Sequence, residues 1–543
     1  MSQKTGGQAV VECLRANGVT TLFGIPGMHN LAIYDAIHDQ GEGLRHILAR
    51  HEGGAGLMAD GYARAGGKPG VAVVTTGPAV GNVMAAVGDA YRDSVPLLVI
   101  ASQIASDLVG HDRGAFHEMK DQLGMAAGAA AWARRVTTVA EIPEALNDAW
   151  HAMTDGRPRP AYLEIPWDVL GGQDDVDITP ASKLAPAAAL SSKVQDAARL
   201  LAQAQRPLIY VGGGVMWSRD TRGICELAER LQAPVATTCN GKGAIPEDHP
   251  LAAGYVNFSR PQWRPVWEQA DLVLAVGTDF GEVATGGWAL PAPQQLVRID
   301  VDQEQLNRNY PATIGLTGDA AVVLDQLLRY VPRPAESSPP SAWAEHVRDL
   351  RTRLHDAAAG SDGMTIVEAM QRELGRDGLS VGDAAGVGIW QLDHLRVYES
   401  RTFQLPLGFG TLGFGVPAAL GAQAAQPSRR VICLCGDGGF LFHGQELATA
   451  IQHDLNIVVL VVNDHAFGSI RRLQERHYQG HTIATDLVNP DFVRFAEAFG
   501  AFGLRIRHTR DLPDALATAF ASGKAAVIEI PGPIAPPQRP VSP

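Results

Sequence analysis

Two β-branched apolar runs, residues 431–435 and 457–462, flank a helix-like segment, and each ends in a polar turn. The first turn reads Gly436-Asp437-Gly438-Gly439, and the second reads Asn463-Asp464-His465-Ala466-Phe467-Gly468. Strands this apolar are buried on both faces, and two of them joined by a helix predict a parallel βαβ unit. Parallel strands deliver both turns to one carboxyl edge, where open α/β sheets bind ligands. Glycine backbone can approach a phosphate there, and the N–H groups of a helix start favour its charge. Asp437 and Asp464 are hard oxygen ligands suited to Mg²⁺ held jointly with a diphosphate. The same pattern also describes a buried strand–turn–helix with solvent-facing acids, because short glycine motifs recur by accident.

A chain of 543 residues is too long for one core. Alternating strand and helix patterns recur in three blocks, 1–170, 190–335 and 342–532, and predict an α/β protein of three doubly wound domains with parallel sheets. Residues 169–190 and 332–340, rich in Gly, Pro and Ala, read as linkers, and 531–543 as a disordered end. The net charge of −13 argues against a nucleic-acid groove or an anionic membrane surface. No apolar run reaches membrane-span length and the first residues lack a signal segment, so the expected location is cytoplasmic. The five cysteines are too scattered for a disulfide framework; Cys433 and Cys435, two apart in a strand, read as core.

The Gly-Asp-Gly start and Asn-Asp finish, 27 positions apart, resemble the cofactor motif of thiamine diphosphate enzymes. Most of the chain resembles their acetolactate synthase-like group. The resemblance implies an N-terminal pyrimidine-binding domain, a central domain and a C-terminal diphosphate-binding domain. It implies Mg²⁺ on Asp437, Asp464 and the Ala466 carbonyl, with Gly436, Gly438, Gly439 and Phe467 around the diphosphate. Glu52, after Arg50-His51 and before a small-residue helix, matches the carboxylate that bonds the aminopyrimidine. Leu412 matches the bulky residue that props the cofactor into its bent form, with Gly410 supplying a carbonyl. The family also implies a homodimer or homotetramer with active sites between subunits.

The same resemblance implies the chemistry. The thiazolium carbon attacks a 2-oxo acid, CO₂ leaves, and the remaining enamine is protonated to an aldehyde or joined to a second carbonyl. The leading expectation is carboligation of the acetolactate synthase type. The alternatives are a decarboxylase that releases an aldehyde, which the similarity to 5-guanidino-2-oxopentanoate decarboxylases supports, and a non-catalytic regulatory relative. Phe116-His117-Glu118 stands where the synthases have Phe-Gln-Glu, which makes His117 a proton donor beside the reacting carbon. Met28 stands where pyruvate decarboxylases carry an acid, with His29 beside it. Asp279-Phe280-Gly281-Glu282-Val283 replaces a segment carrying two arginines. That loss counts against FAD, which the family's central domain otherwise implies, and against a carboxylate-bearing acceptor; Asp279 or Glu282 is left to meet a guanidinium. Gly386-Val387-Gly388 replaces Gln-His-Gln near the diphosphate, so backbone N–H groups are expected to serve there.

Overall fold

A computed structural model describes residues 2–333 and 341–537 of the chain. Three six-stranded parallel sheets carry the fold. In the first, strands lie in the order Arg45–Leu48, Thr21–Gly24, Gly70–Val74, Leu97–Gln103, Ala161–Pro166, Trp132–Arg135. In the third they lie in the order Phe403–Gln404, Leu379–Gly382, Val431–Gly436, Val458–Asn463, Ala526–Pro531, Phe502–Arg505. Counted along the chain, both orders are 2-1-3-4-6-5, so the outer domains share one topology. The middle sheet has the order 3-2-1-4-5-6, that of dinucleotide-binding folds.

The expected βαβ unit is present, with Ile432 opposite Val458 and Gly436 opposite Val462. Cys433 and Cys435 are fully buried in its first strand. The strand Ala526–Pro531 does not close its sheet; the short, half-buried Phe502–Arg505 pairs outside it. Residues 531–537 are packed rather than loose. Ile534 is buried, and Trp390 Nε1 donates to the Ala535 carbonyl at 2.7 Å. The remainder of the expected disordered end, 538–543, and residues 334–340 of the second linker lie outside the described residues. Within the first linker, Gln173–Val176 forms a strand antiparallel to Ser2–Thr5. Helix Ala342–Ala358 follows the second linker but packs on the middle domain, where Trp343 Nε1 donates to the Pro207 carbonyl at 2.9 Å.

Small residues join the outer domains. Helix Glu52–Gly66 lies against helix Gly415–Ala425, where a Cβ on Gly61 would run into the Ala418 backbone and one on Gly421 into that of Met58. Their side chains merge into one core with both sheets, from Phe23 and Val99 in the first to Val431 and Val459 in the third. Burial of this kind stabilises by roughly 25 cal/mol per Å² of apolar surface, so the two carboxyl edges are held in fixed relation. No described helix is long and apolar enough to cross a membrane.

Candidate active site

Glu52 is the first residue of its helix rather than the last of a strand, because the preceding strand stops at Leu48. His51 caps the helix, its Nδ1 accepting from the Gly53 N–H at 3.0 Å. Asn82 Nδ2, on the next helix, Pro78–Asp93, donates to Glu52 Oε2 at 2.9 Å. Behind them Glu446 from the third domain is fully buried. Its carboxylate accepts the N–H groups of Arg50 and His51 at 3.0–3.1 Å and the Thr449 hydroxyl at 2.6 Å. Burial pushes the Glu446 carboxyl up to about 7 despite these donors.

On the same edge, the loop after Leu97–Gln103 brings His117 to His29, their ring centroids 5.4 Å apart. Phe116 stacks on His117 at 3.9 Å and lies 6.2 Å from His29. His117 has φ 69°, a conformation that non-glycine residues adopt rarely and often at functional sites. Both Nδ1 atoms are buried without a hydrogen-bond partner. Burial, and then the neighbouring His117, hold His29 below the ordinary histidine range. Glu118 accepts the Ala115 N–H through Oε2 at 2.8 Å, while its Oε1 is buried and unpartnered. Met28 is exposed at 59% and Phe116 at 63%.

The third domain carries the expected diphosphate turn. Gly410 and Gly413 take φ near 80°, which carries Leu412 outward, and it stays 37% exposed. Asp383, buried and pushed up to about 6 by that burial, accepts the Gly413 N–H at 3.0 Å. A Cβ on Gly439 would run into the same carboxylate, and one on Gly438 would lie 2.6 Å from the Phe467 ring. At Gly436 the nearest such contact is Ala385 at 3.6 Å, so space is open before this turn. Asp437 Oδ2 accepts from Asn489 Nδ2 at 2.6 Å and from the Ala466 N–H at 3.2 Å. Burial and then Asp437 raise Asp464, as two carboxylates sharing one site must.

Two adjacent carboxylates, open glycine backbone and an adjoining chain turn at Ala466 form a donor set that a divalent cation and a diphosphate would complete. Among the described residues no three His, Cys, Asp or Glu side chains form a closed metal cage, so a cation here needs backbone and ligand oxygens as well. At Gly386 the Arg472 guanidinium takes up the space a Cβ would occupy, and it donates to Ser469 Oγ at 3.3 Å. A cation therefore stands where backbone N–H groups alone were expected.

Sequence alone did not single out Asn82, Asp383, Glu446, Arg472 or Asn489, and it ranked His29 below His117. Asn82 and Asp383 are isolated polar residues with no motif spacing. A glutamate directly before an apolar helical turn was the available signal for Glu446.

The middle domain behaves differently from expectation. A cavity of about 550 Å³ opens where its strand order reverses, and Leu407 and Gly408 reach it from the third domain. Asp155, Asp279, Asp300 and Asp319 line it. Asp279 is not free for a guanidinium, because Arg92 Nη1 donates to its Oδ2 at 2.6 Å and Arg157 Nη2 does so at 3.5 Å. Burial alone would raise the Asp279 carboxyl, but these two arginines outweigh it and hold the group below the ordinary carboxylate range. Gly212 and Gly214, after strand Pro207–Val211, both pack tightly on Gly277, so these glycines serve the chain's own turn.

Comparison with known proteins agrees with this geometry. Residues 4–125, 194–327 and 383–530 match the N-terminal TPP binding, central and C-terminal TPP binding domains of thiamine pyrophosphate enzymes. The chain belongs to the thiamine pyrophosphate enzyme family, as an α/β enzyme of the 2-oxo acid decarboxylase and carboligase type. It is 38% identical over 541 residues to a probable 2-ketoarginine decarboxylase of Pseudomonas aeruginosa, covering 97% of this chain and 94% of the relative. It is 32% identical to a probable acetolactate synthase large subunit of Methanocaldococcus jannaschii, covering 97% and 91%. The acetolactate synthase isozyme 2 large subunit of Escherichia coli is also 32% identical, covering 95% and 93%.

Proposed function

We propose that this protein is a Mg²⁺-dependent 2-oxo acid decarboxylase that protonates the substrate-derived carbon and releases an aldehyde. The observation that carries the reading is the His29–His117 pair, two rings with buried, unpartnered Nδ1 atoms at the edge that also holds Glu52. A glutamine cannot exchange a proton near neutral pH, whereas a histidine pair can both donate and accept one. Thiamine diphosphate, when bound, would supply a carbon nucleophile and an electron sink for loss of CO₂ from the 2-oxo acid. Asp437, Asp464 and the Ala466 carbonyl would hold the cation, Arg472 and the 436–439 backbone would hold the diphosphate, and Gly410 and Leu412 would orient the pyrimidine. Glu52 holds and returns the proton that activates it, with Asn82 fixing Oε2. The site lies between the subunits of a homodimer or homotetramer. Helix Gly468–His477 fits that assembly, since it buries no residue within one chain.

For the substrate we infer a 2-oxo acid with a cationic tail, in line with the similarity to a probable 2-ketoarginine decarboxylase. Glu118, on the His117 loop, is the acid whose buried, unpartnered oxygen a guanidinium would satisfy. The acids of the middle cavity, with Arg92 and Arg157 bound to Asp279, count against FAD there. Carboligation is the second reading. The exposed apolar Met28, Phe116 and Leu412 favour it as walls for an uncharged acceptor, while Val283 removes the arginine that a carboxylate-bearing one would need. Measuring CO₂ release across a panel of 2-oxo acids tests the substrate class. Turnover of 5-guanidino-2-oxopentanoate should exceed that of pyruvate, and the reverse order would overturn the assignment.

A further inference from the structure

We propose that Asn489 is a positioning residue for the divalent cation, holding Asp437 so that it presents Oδ1 to the metal. The inference rests on reading Asp437 and Asp464 as the metal-binding pair. Asn489 Nδ2 donates to Asp437 Oδ2 at 2.6 Å and to Asn463 Oδ1 at 2.9 Å. The Ala466 N–H reaches the same Asp437 Oδ2 at 3.2 Å. Two donors on one oxygen fix the carboxylate's rotation and leave the other oxygen as the ligand. The orientation of the Asn489 amide is itself set, because only its nitrogen can serve two acceptors at once.

The clamp is anchored beyond Asn489. Asn463 Oδ1 also accepts the His465 N–H at 3.3 Å, and Asn463 Nδ2 donates to Glu529 Oε1 at 2.8 Å. Arg505 Nε donates to Glu529 Oε2 at 2.8 Å. A line of side chains thus runs from Arg505 through Glu529, Asn463 and Asn489 to Asp437, crossing from strand Ala526–Pro531 past Val458–Asn463 to the end of Val431–Gly436. Such a line has a use in this chain, because a second acid, Asp464, stands beside Asp437. Like charges at one site repel, and an unheld Asp437 carboxylate would turn away from its neighbour. The two donors on Oδ2 keep the carboxylate facing the site.

Mn²⁺ titration followed by electron paramagnetic resonance, on the full chain with saturating thiamine diphosphate, tests the proposal without reference to turnover. Asn489→Ala, and Asn489→Leu, which preserves most of the volume, should each raise the Mn²⁺ Kd by about 10- to 100-fold, the usual cost of losing an outer partner of a metal ligand. Asn489→Ser, which keeps a donor, should bind more tightly than Asn489→Ala. If Asn489→Ala fails to fold, Asn489→Leu carries the comparison. A folded Ala or Leu variant with wild-type affinity overturns the proposal and leaves the metal pair standing, as does equal weakening by Ser and Ala. A wild-type protein that binds no Mn²⁺ overturns both.

Discussion

His29 and His117 face each other at 5.4 Å between ring centroids, although they stand on loops that leave two different strands. His29 is held below the ordinary histidine range first by burial and then by the neighbouring His117. His29 is thereby biased to its neutral form, and a neutral ring beside His117 can accept or return a proton.

His117→Gln should lower aldehyde release more than CO₂ release, because decarboxylation precedes the proton step. Equal loss of both products in His117→Gln would reduce the residue to shaping the pocket.

Glu52→Gln keeps a hydrogen bond to the cofactor ring but cannot hold an exchangeable proton. Turnover at saturating cofactor should fall by roughly 100-fold or more, the scale of a lost acid–base group. Thiamine diphosphate affinity, measured by tryptophan quenching, should change little. Unchanged turnover would remove Glu52 from the role.

Much of this was legible in advance. The β-branched runs at 431–435 and 457–462 specified buried parallel strands, and Gly-Asp-Gly-Gly specified the turn between strand and helix. What stayed hidden depends on long-range packing. Phe502–Arg505 is a weakly apolar edge strand that only its pairing with Ala526–Pro531 defines. The role of Glu446 stayed hidden for another reason: its partners Arg50 and His51 lie almost 400 residues away. The expectation for Asp279 failed similarly, because Arg92 comes from the first domain.

Glu446 makes stability depend on pH. Its folded carboxyl titrates near 7 against an ordinary 4.5, so between those values the folded chain holds more protons than the unfolded one. Unfolding free energy should fall as pH rises through that window, by up to about 1.4 kcal/mol per pH unit from this group. Denaturant melts of wild type and Glu446→Gln should therefore diverge from pH 5 to pH 8, the variant gaining relative stability. Parallel curves would contradict the assignment.

Glu118→Gln removes the proposed partner of a cationic tail without changing size. KM for 5-guanidino-2-oxopentanoate should rise by about 10-fold or more, as expected for losing a charge-assisted hydrogen bond of roughly 1.5–3 kcal/mol. KM for an uncharged 2-oxo acid should stay near the wild-type value. A matching rise for both substrates would place Glu118 outside the tail's contacts.

The decisive measurement is the ratio of aldehyde to CO₂ in a single turnover of labelled 5-guanidino-2-oxopentanoate, with and without an added acceptor aldehyde. Protonation by the His29–His117 pair predicts one aldehyde for each CO₂ in both conditions. A ligated product that takes most of the label when acceptor is present would contradict it and make the protein a carboligase.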